Sequence, residues 1–166
     1  MTGVQTCALP ISIPDGATIV GSSLGGIVAC EIARLRALKG LVLIGSAVSP
    51  HEISGLLAVL HPLARLTPIE FIQRVSAKVH GELAQMFSHS QAPFIRAACA
   101  AVFEWPGLDP SRIKPPRIHG RHDRVIPMPP EVDLSIDGGH LIAMTHAEEC
   151  VAFLEAKLRV SSARPV

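Results

Sequence analysis

Apolar residues fall into short runs of two kinds along this chain. Ala17-Thr18-Ile19-Val20 and Leu41-Val42-Leu43-Ile44 are brief runs rich in apolar residues and bounded by glycine, a pattern that predicts strands buried in a sheet. Between them, Ile27 to Leu38 carries apolar residues at 27, 28, 32, 35 and 38, the spacing of one helix face, and Lys39-Gly40 is expected to stop it. Strand, turn, helix and strand make a βαβ unit, so the two strands should be parallel neighbours joined by a right-handed crossover.

The interval from Pro50 to about Trp105 has a different character. It holds helix-like pieces at Ile53 to Leu60, Ile69 to Val79, Glu82 to Phe87 and Pro93 to Phe103, divided by His61-Pro62, Thr67-Pro68 and Ala92-Pro93, with no β-rich run of useful length. Beyond it, a short apolar strand ends near His119-Gly120, and a second runs from Val132 to Ile136. Pro127, Pro129 and Pro130 rule out a long helix between those strands, so the connection must be direct. A final helix is expected from Thr145 through Leu158, with apolar positions 150, 151, 154 and 158 and with Glu148 and Glu149 at its positive end.

Composition narrows the class without naming a task. The chain has 166 residues, enough for one domain, and 48% apolar content is ample for a core. Fifteen basic and 14 acidic residues leave a net charge of +1 with no long basic run, so nothing asks for nucleic acid as a partner. Cysteines 7, 30, 99 and 150 lack paired spacing, which makes reduced thiols the default and places Cys30 and Cys150 in helical cores. The apolar, uncharged stretch Gly40 to Pro50 is too short to span a bilayer and reads as a strand running into a loop, and a cytoplasmic location is taken by default.

The chemistry concentrates where the strands end. Gly21-Ser22-Ser23-Leu24-Gly25 is a G-x-S-x-G string set between the first strand and its helix, which puts Ser23 on a tight turn. Glycines 21 and 25 are expected to remove side chains where that turn crowds neighbouring backbone, with Gly26 completing the elbow. No Lys-Ser or Lys-Thr closes the loop and its spacing is not G-x-G-x-x-G, which argues against a phosphate site. Far along the chain, Gly120-Arg121-His122-Asp123 places an acid after one strand, and Asp137-Gly138-Gly139-His140 places a histidine after the next.

Serine, acid and histidine in this order, each after a strand, resemble the α/β-hydrolase superfamily. The resemblance runs from about Thr18 to Leu158 and implies an α/β fold with a mainly parallel sheet and a helical cap insertion at residues 50–105. It implies a serine hydrolase with Ser23 as nucleophile, His140 as base, Asp123 as its partner and the Leu24 backbone N–H as an oxyanion donor. The implied substrate is a small-molecule carboxylic ester or acyl compound, with no cofactor and no metal. In the family a second oxyanion donor comes from an earlier loop that this chain does not contain. Residues 1–12 resemble a translated adapter sequence joined to a gene fragment, leaving 13–158 as a truncated domain and 159–166 as a tail.

Other readings stand beside this one. Asp133 and Asp137 are rival acids, although Asp123 alone fits the family's G-x-x-D-x-x-x-P form through Gly120 and Pro127. His119, His122 and His146 allow a metal site to be imagined, but no H-E-x-x-H or Cys-His pattern joins them, and hydrogen-bonded structural roles are the simpler reading. The helices of 50–105 are open to a plain packing role, with Phe71, Met86, Phe87, Phe94, Phe103 and Trp105 as ordinary core. A non-catalytic interaction module, or a fragment with an exposed sheet edge, are the alternatives to an enzyme.

Overall fold

A computed structural model describes residues 13–53, 90–109 and 111–162. Strand β1 (Thr18–Ser22) leads through Ser23 into helix α1 (Leu24–Leu35), and strand β2 (Gly40–Ile44) follows. A short 3-10 turn, Pro50–Glu52, and helix α2 (Ala92–Glu104) lie between β2 and strand β3 (Arg117–Gly120). Strand β4 (Leu134–Ile136), helix α3 (Ile142–Thr145) and helix α4 (Ala147–Ser162) complete the order. The four strands form one parallel sheet in the order β1-β2-β3-β4.

The sheet is buried on two sides because β2 is apolar at every position after Gly40. Leu41 and Leu43 face a cluster with Ile27, Ala29, Cys30 and Ala33 of α1, joined by Ala47, Trp105 and Leu108. Val42 and Ile44 face a second cluster with Ile118, Ile136, Ile142, Cys150 and Phe153. Period-two alternation thus sends successive side chains into opposite layers, so an unbroken apolar run suits a strand covered on both faces. Strand β1 pairs with β2 alone among the described residues, and Val20 at that edge is exposed.

Helix α1 both starts and stops earlier than the apolar spacing predicts. It opens at Leu24 and ends at Leu35, where Arg36 turns extended and its N–H bonds Ile32 O at 2.9 Å. Residues 36–39 are adequate helix formers, but their backbone is claimed elsewhere. Gly16 N–H donates to Ala37 O at 3.1 Å and Lys39 N–H to Ala17 O at 2.9 Å, extending the β1–β2 contact backwards. Leu38 then reaches the first core cluster from the connection between α1 and β2 rather than from a helix face. Strand pairing overrides helical propensity here.

The late elements differ in similar ways. β4 is shorter than Val132 to Ile136, because Asp133 at its start turns its carboxylate to the Arg117 N–H, at 2.9 Å, and to Lys157, at 2.5 Å. The final helix expected at Thr145 to Leu158 is α4 (Ala147–Ser162), and the short helix α3 ahead of it is an addition, set off by His146, whose φ of −135° and ψ of 49° are not helical. The break fits close packing, since a Cβ on Gly138 would lie 2.8 Å from the His146 ring. No helix lies between Gly120 and Leu134, so the connection is direct as the prolines require.

Between β2 and β3, α2 matches the helix expected at Pro93 to Phe103, and Val102 and Trp105 pack on the first cluster while Phe94 is exposed. The helices expected at 53–60, 69–79 and 82–87, with Phe71, Met86 and Phe87, lie outside the described residues. Cys30 and Cys150 are buried core thiols, and burial pushes Cys30 up to about 12. Among the described residues, no helix is long and apolar enough to cross a membrane.

One ion pair ties the insertion to the sheet. Arg117 of β3 donates from both terminal nitrogens to Glu52, at 3.0 and 2.6 Å, and these side chains are only 10% and 21% exposed. Glu52 also accepts the Val48 N–H at 2.8 Å, which fixes the loop after β2. Removing one member of a mostly buried pair leaves the other charge uncompensated. Glu52→Ala is therefore expected to lower the unfolding free energy by about 3 kcal/mol, read by urea denaturation, whereas a loss under about 1 kcal/mol would class the pair with exposed ones.

Candidate active site

Ser23 is held in an unusual backbone conformation, φ 52° and ψ −127°, and it is the one non-glycine residue at positive φ among those described. Such a conformation persists only where surroundings over-determine it. Ser23 N–H bonds Ile44 O at 3.1 Å, which continues the β1–β2 ladder by one residue. The Ser23 carbonyl accepts from Ser46 Oγ at 2.7 Å and from Gly26 N–H at 2.9 Å. Backbone on both sides of the residue is thus pinned, and the side chain projects from the turn.

The crowding expected at glycines 21 and 25 falls instead at 21 and 26. A Cβ on Gly21 would stand 2.5 Å from Gly26 Cα and 2.6 Å from Gly25 O, and one on Gly26 would strike the side chain of Ser46. At Gly25 a Cβ meets nothing within 4 Å among the described residues, because that position faces outward on the first turn of α1. Helix and strand approach each other through Gly21 and Gly26, and Gly25 lies off that line.

The three residues after β1, β3 and β4 converge. Ser23 Oγ lies 2.7 Å from His140 Nε2, and His140 Nδ1 lies 2.7 Å from Asp123 Oδ2. Side-chain exposure is 6% for His140 and 0% for Asp123, so the chain of bonds is shielded from water. An ionised carboxylate only accepts, which puts the imidazole proton on Nδ1 and leaves Nε2 bare toward the serine hydroxyl. Asp123 Oδ1 accepts the N–H groups of Val125 and Ile126 at 2.8 and 2.9 Å. Burial works against the Asp123 charge, yet the donors of His119 and His140 and the Ile126 N–H outweigh it and hold the carboxyl well below the usual range.

The rival acids are engaged elsewhere. Asp137 pairs with His122 at 2.7 Å on the surface, and Asp133 sits at the start of β4 with Arg117 and Lys157. His146 bonds Thr145 Oγ1 at 2.8 Å beside Gly138. Among the described residues, no group of three or more His, Cys, Asp or Glu side chains is placed to hold a metal ion. The Leu24 N–H opens α1, where first-turn N–H groups have no intrahelical acceptor.

Three further residues support this arrangement: Gly45 and Ser46, which the motif reading passed over, and His119, which it took as a hydrogen-bonded structural group. Ser46 holds the Ser23 carbonyl, and Gly45, at φ 53°, lets the His140 loop cross the end of β2, since a Cβ there would lie 3.1 Å from His140 O. His119, fully buried on β3, lies 3.3 Å from Asp123 Oδ2. The signal for the first two was their position directly after a buried parallel strand, at the sheet end where ligands gather. For His119 it was a polar residue inside a strand otherwise read as apolar.

No protein-family model and no curated protein matches the sequence. Solved structures do. A hydrolase from Pseudomonas aeruginosa PA01 aligns with a TM-score of 0.59 at 16% identity, covering 86% of this chain and 64% of that one. The esterase EaEST from Exiguobacterium antarcticum aligns at 0.58 and 16%, covering 87% and 67%. A thermophilic esterase from Thermogutta terrifontis aligns at 0.55 and 22%, covering 87% and 66%. Over these residues the chain has the α/β-hydrolase fold. It spans between 64% and 67% of the length of these three structures. Identities this low carry the fold, and the chemistry rests on the site's own geometry.

Two outcomes follow from this geometry. Gly21→Ala is expected to destabilise by about 3 kcal/mol, because backbone cannot yield as a flexible side chain does, while Gly25→Ala should stay within about 0.5 kcal/mol by thermal or urea unfolding. The second concerns pH. A carboxyl held lower in the folded state than in the unfolded chain contributes stability above its unfolded value and loses it as pH falls toward the folded one. The stability difference between wild type and Asp123→Asn should therefore be full above about pH 4 and shrink below it, as urea midpoints at a series of pH values would reveal.

Proposed function

We propose that the chain carries the catalytic residues of a serine hydrolase that cleaves carboxylic esters of small molecules through an acyl-enzyme. The observation that carries this reading is the continuous relay from Ser23 Oγ through His140 to Asp123, with both links at 2.7 Å and its inner end buried. Serine hydroxyl is a poor nucleophile until a base takes its proton as it attacks. In this reading Ser23 Oγ adds to the ester carbonyl while its proton passes to His140 Nε2. Asp123 holds the imidazole in the needed tautomer and stabilises the imidazolium. The Leu24 N–H at the start of α1 faces the oxyanion.

Collapse of the tetrahedral intermediate expels the alcohol, which takes the proton from Nε2 as it leaves. Water then gives a proton to the same nitrogen as its oxygen attacks the acyl-serine, and the second tetrahedral intermediate collapses by breaking the bond to Ser23 Oγ, which takes that proton back from Nε2 as the carboxylic acid is released. The proposed boundaries are a hydrolase domain over 13–158 and a cap over 50–105 that shapes the pocket. Support for the cap comes from the insertion of this interval between β2 and β3 and from the Glu52–Arg117 anchor. Esters rank above amides because an alkoxide leaves with less help from the acid than an amine does.

A fluorophosphonate probe followed by peptide mass spectrometry tests the reading directly. Native protein is expected to be labelled at Ser23 alone, with denatured protein and Ser23→Ala unlabelled. Ser23→Ala should lower turnover of a short-chain aryl ester by at least about 1,000-fold with little change in unfolding, and Asp123→Asn by roughly 100- to 10,000-fold. Hydrolysis retained in a clean Ser23→Ala preparation would overturn the mechanism.

A further inference from the structure

A histidine that the triad does not use lies directly beneath its acid. His119 is the third residue of β3 and has no exposed surface. Its neighbour Ile118 faces the cluster with Ile142 and Phe153, so His119 looks toward the opposite layer. Its Nε2 is 2.8 Å from the Ile126 carbonyl and 3.3 Å from Asp123 Oδ2. Both neighbours only accept, so Nε2 carries the proton. Nδ1 is buried with no hydrogen-bond partner among the described residues, which suits a bare nitrogen better than a stranded N–H.

The location matters more than the contact alone. Ile126 gives its N–H to Asp123 Oδ1 at 2.9 Å and its carbonyl to His119 at 2.8 Å. The turn from Gly120 to Ile126 is therefore closed from two sides, by the carboxylate inside it and by a side chain of the strand before it. Oδ1 has two backbone donors, and Oδ2 faces His140 at 2.7 Å and His119 at 3.3 Å. That set defines the plane of the carboxylate. An apolar residue at 119 would fill the same strand position without the desolvation that a buried imidazole entails.

We propose that His119 is a positioning residue, a clamp on the acid loop that fixes the Asp123 carboxylate so that Oδ2 meets His140. This rests on the serine-hydrolase reading of the Ser23, His140 and Asp123 relay. His119 touches no reacting atom. Its effect reaches the serine through Asp123 and His140, so it acts on the chemical step and leaves substrate affinity alone.

The test compares His119→Leu, His119→Asn and His119→Gln in the full chain. Glutamine places its amide nitrogen about as far from the backbone as Nε2, whereas asparagine falls short and leucine has no donor. His119→Leu and His119→Asn should lower kcat on the order of 10- to 100-fold with KM unchanged, and His119→Gln should recover most of the rate. The low-field proton resonance of the His140 Nδ1–H should be present in wild type and in His119→Gln and lost or broadened in the other two. That resonance needs no turnover, so it tests the clamp even if fluorophosphonate fails to label Ser23 and the hydrolase reading falls. Should His119→Leu fail to fold by circular dichroism, the polar pair of Asn and Gln decides. A low-field resonance and kcat that persist in folded His119→Asn or His119→Leu, or an altered kcat that Gln does not rescue, would overturn the assignment.

Discussion

Everything at this site depends on one strained residue being held still. The positive φ of Ser23 carries a cost of about 1–3 kcal/mol. Its own backbone bonds, to Ile44 O, from Ser46 Oγ and from Gly26 N–H, contribute about 1 kcal/mol each, enough to offset that strain. Two of those three partners come from β2 and the residues after it, and the third from the first turn of α1. The elbow is therefore a product of the βαβ unit as a whole, and Gly21 and Gly26 let strand and helix come close enough to make it.

The parallel sheet explains why residues far apart in sequence meet. Each strand ends at the same edge, so the residues following β1, β2, β3 and β4 are delivered together: Ser23, Gly45 with Ser46, Asp123, and His140. β1 and β4 are at opposite sides of the sheet, separated by β2 and β3. The His140 loop closes that gap by crossing the end of β2, which is where Gly45 offers no side chain. Spacing between strands would otherwise hold Ser23 and His140 about 14 Å apart, far beyond hydrogen-bond reach.

Electrostatics set the direction of the relay. Asp123 is buried, a position that disfavours charge, and it keeps its charge because N–H groups surround it. A carboxylate satisfied in this way orients an imidazole firmly and does not take its proton. The same loop geometry that makes the acid strong also fixes where it points, and both properties trace to backbone N–H groups of residues 125 and 126 and to the imidazoles on either side.

From the sequence alone came the strand, turn and helix alternation, the parallel neighbours, the direct link between the last two strands and the three residues of the relay. Those properties are local: apolar periodicity, glycine and proline placement, and the order of Ser23, Asp123 and His140 along the chain. Tertiary structure decided what local pattern cannot carry. It ended α1 at Leu35 because strand pairing claimed residues 37 and 39, and it added the short helix α3 ahead of the last one, with His146 between them beside Gly138. It moved the crowding from Gly25 to Gly26, and it put His119 under Asp123 and Ser46 against Ser23. A residue's periodicity tells which way it faces, but its neighbours across the sheet follow from register and loop path, which are fixed only when the whole chain has packed.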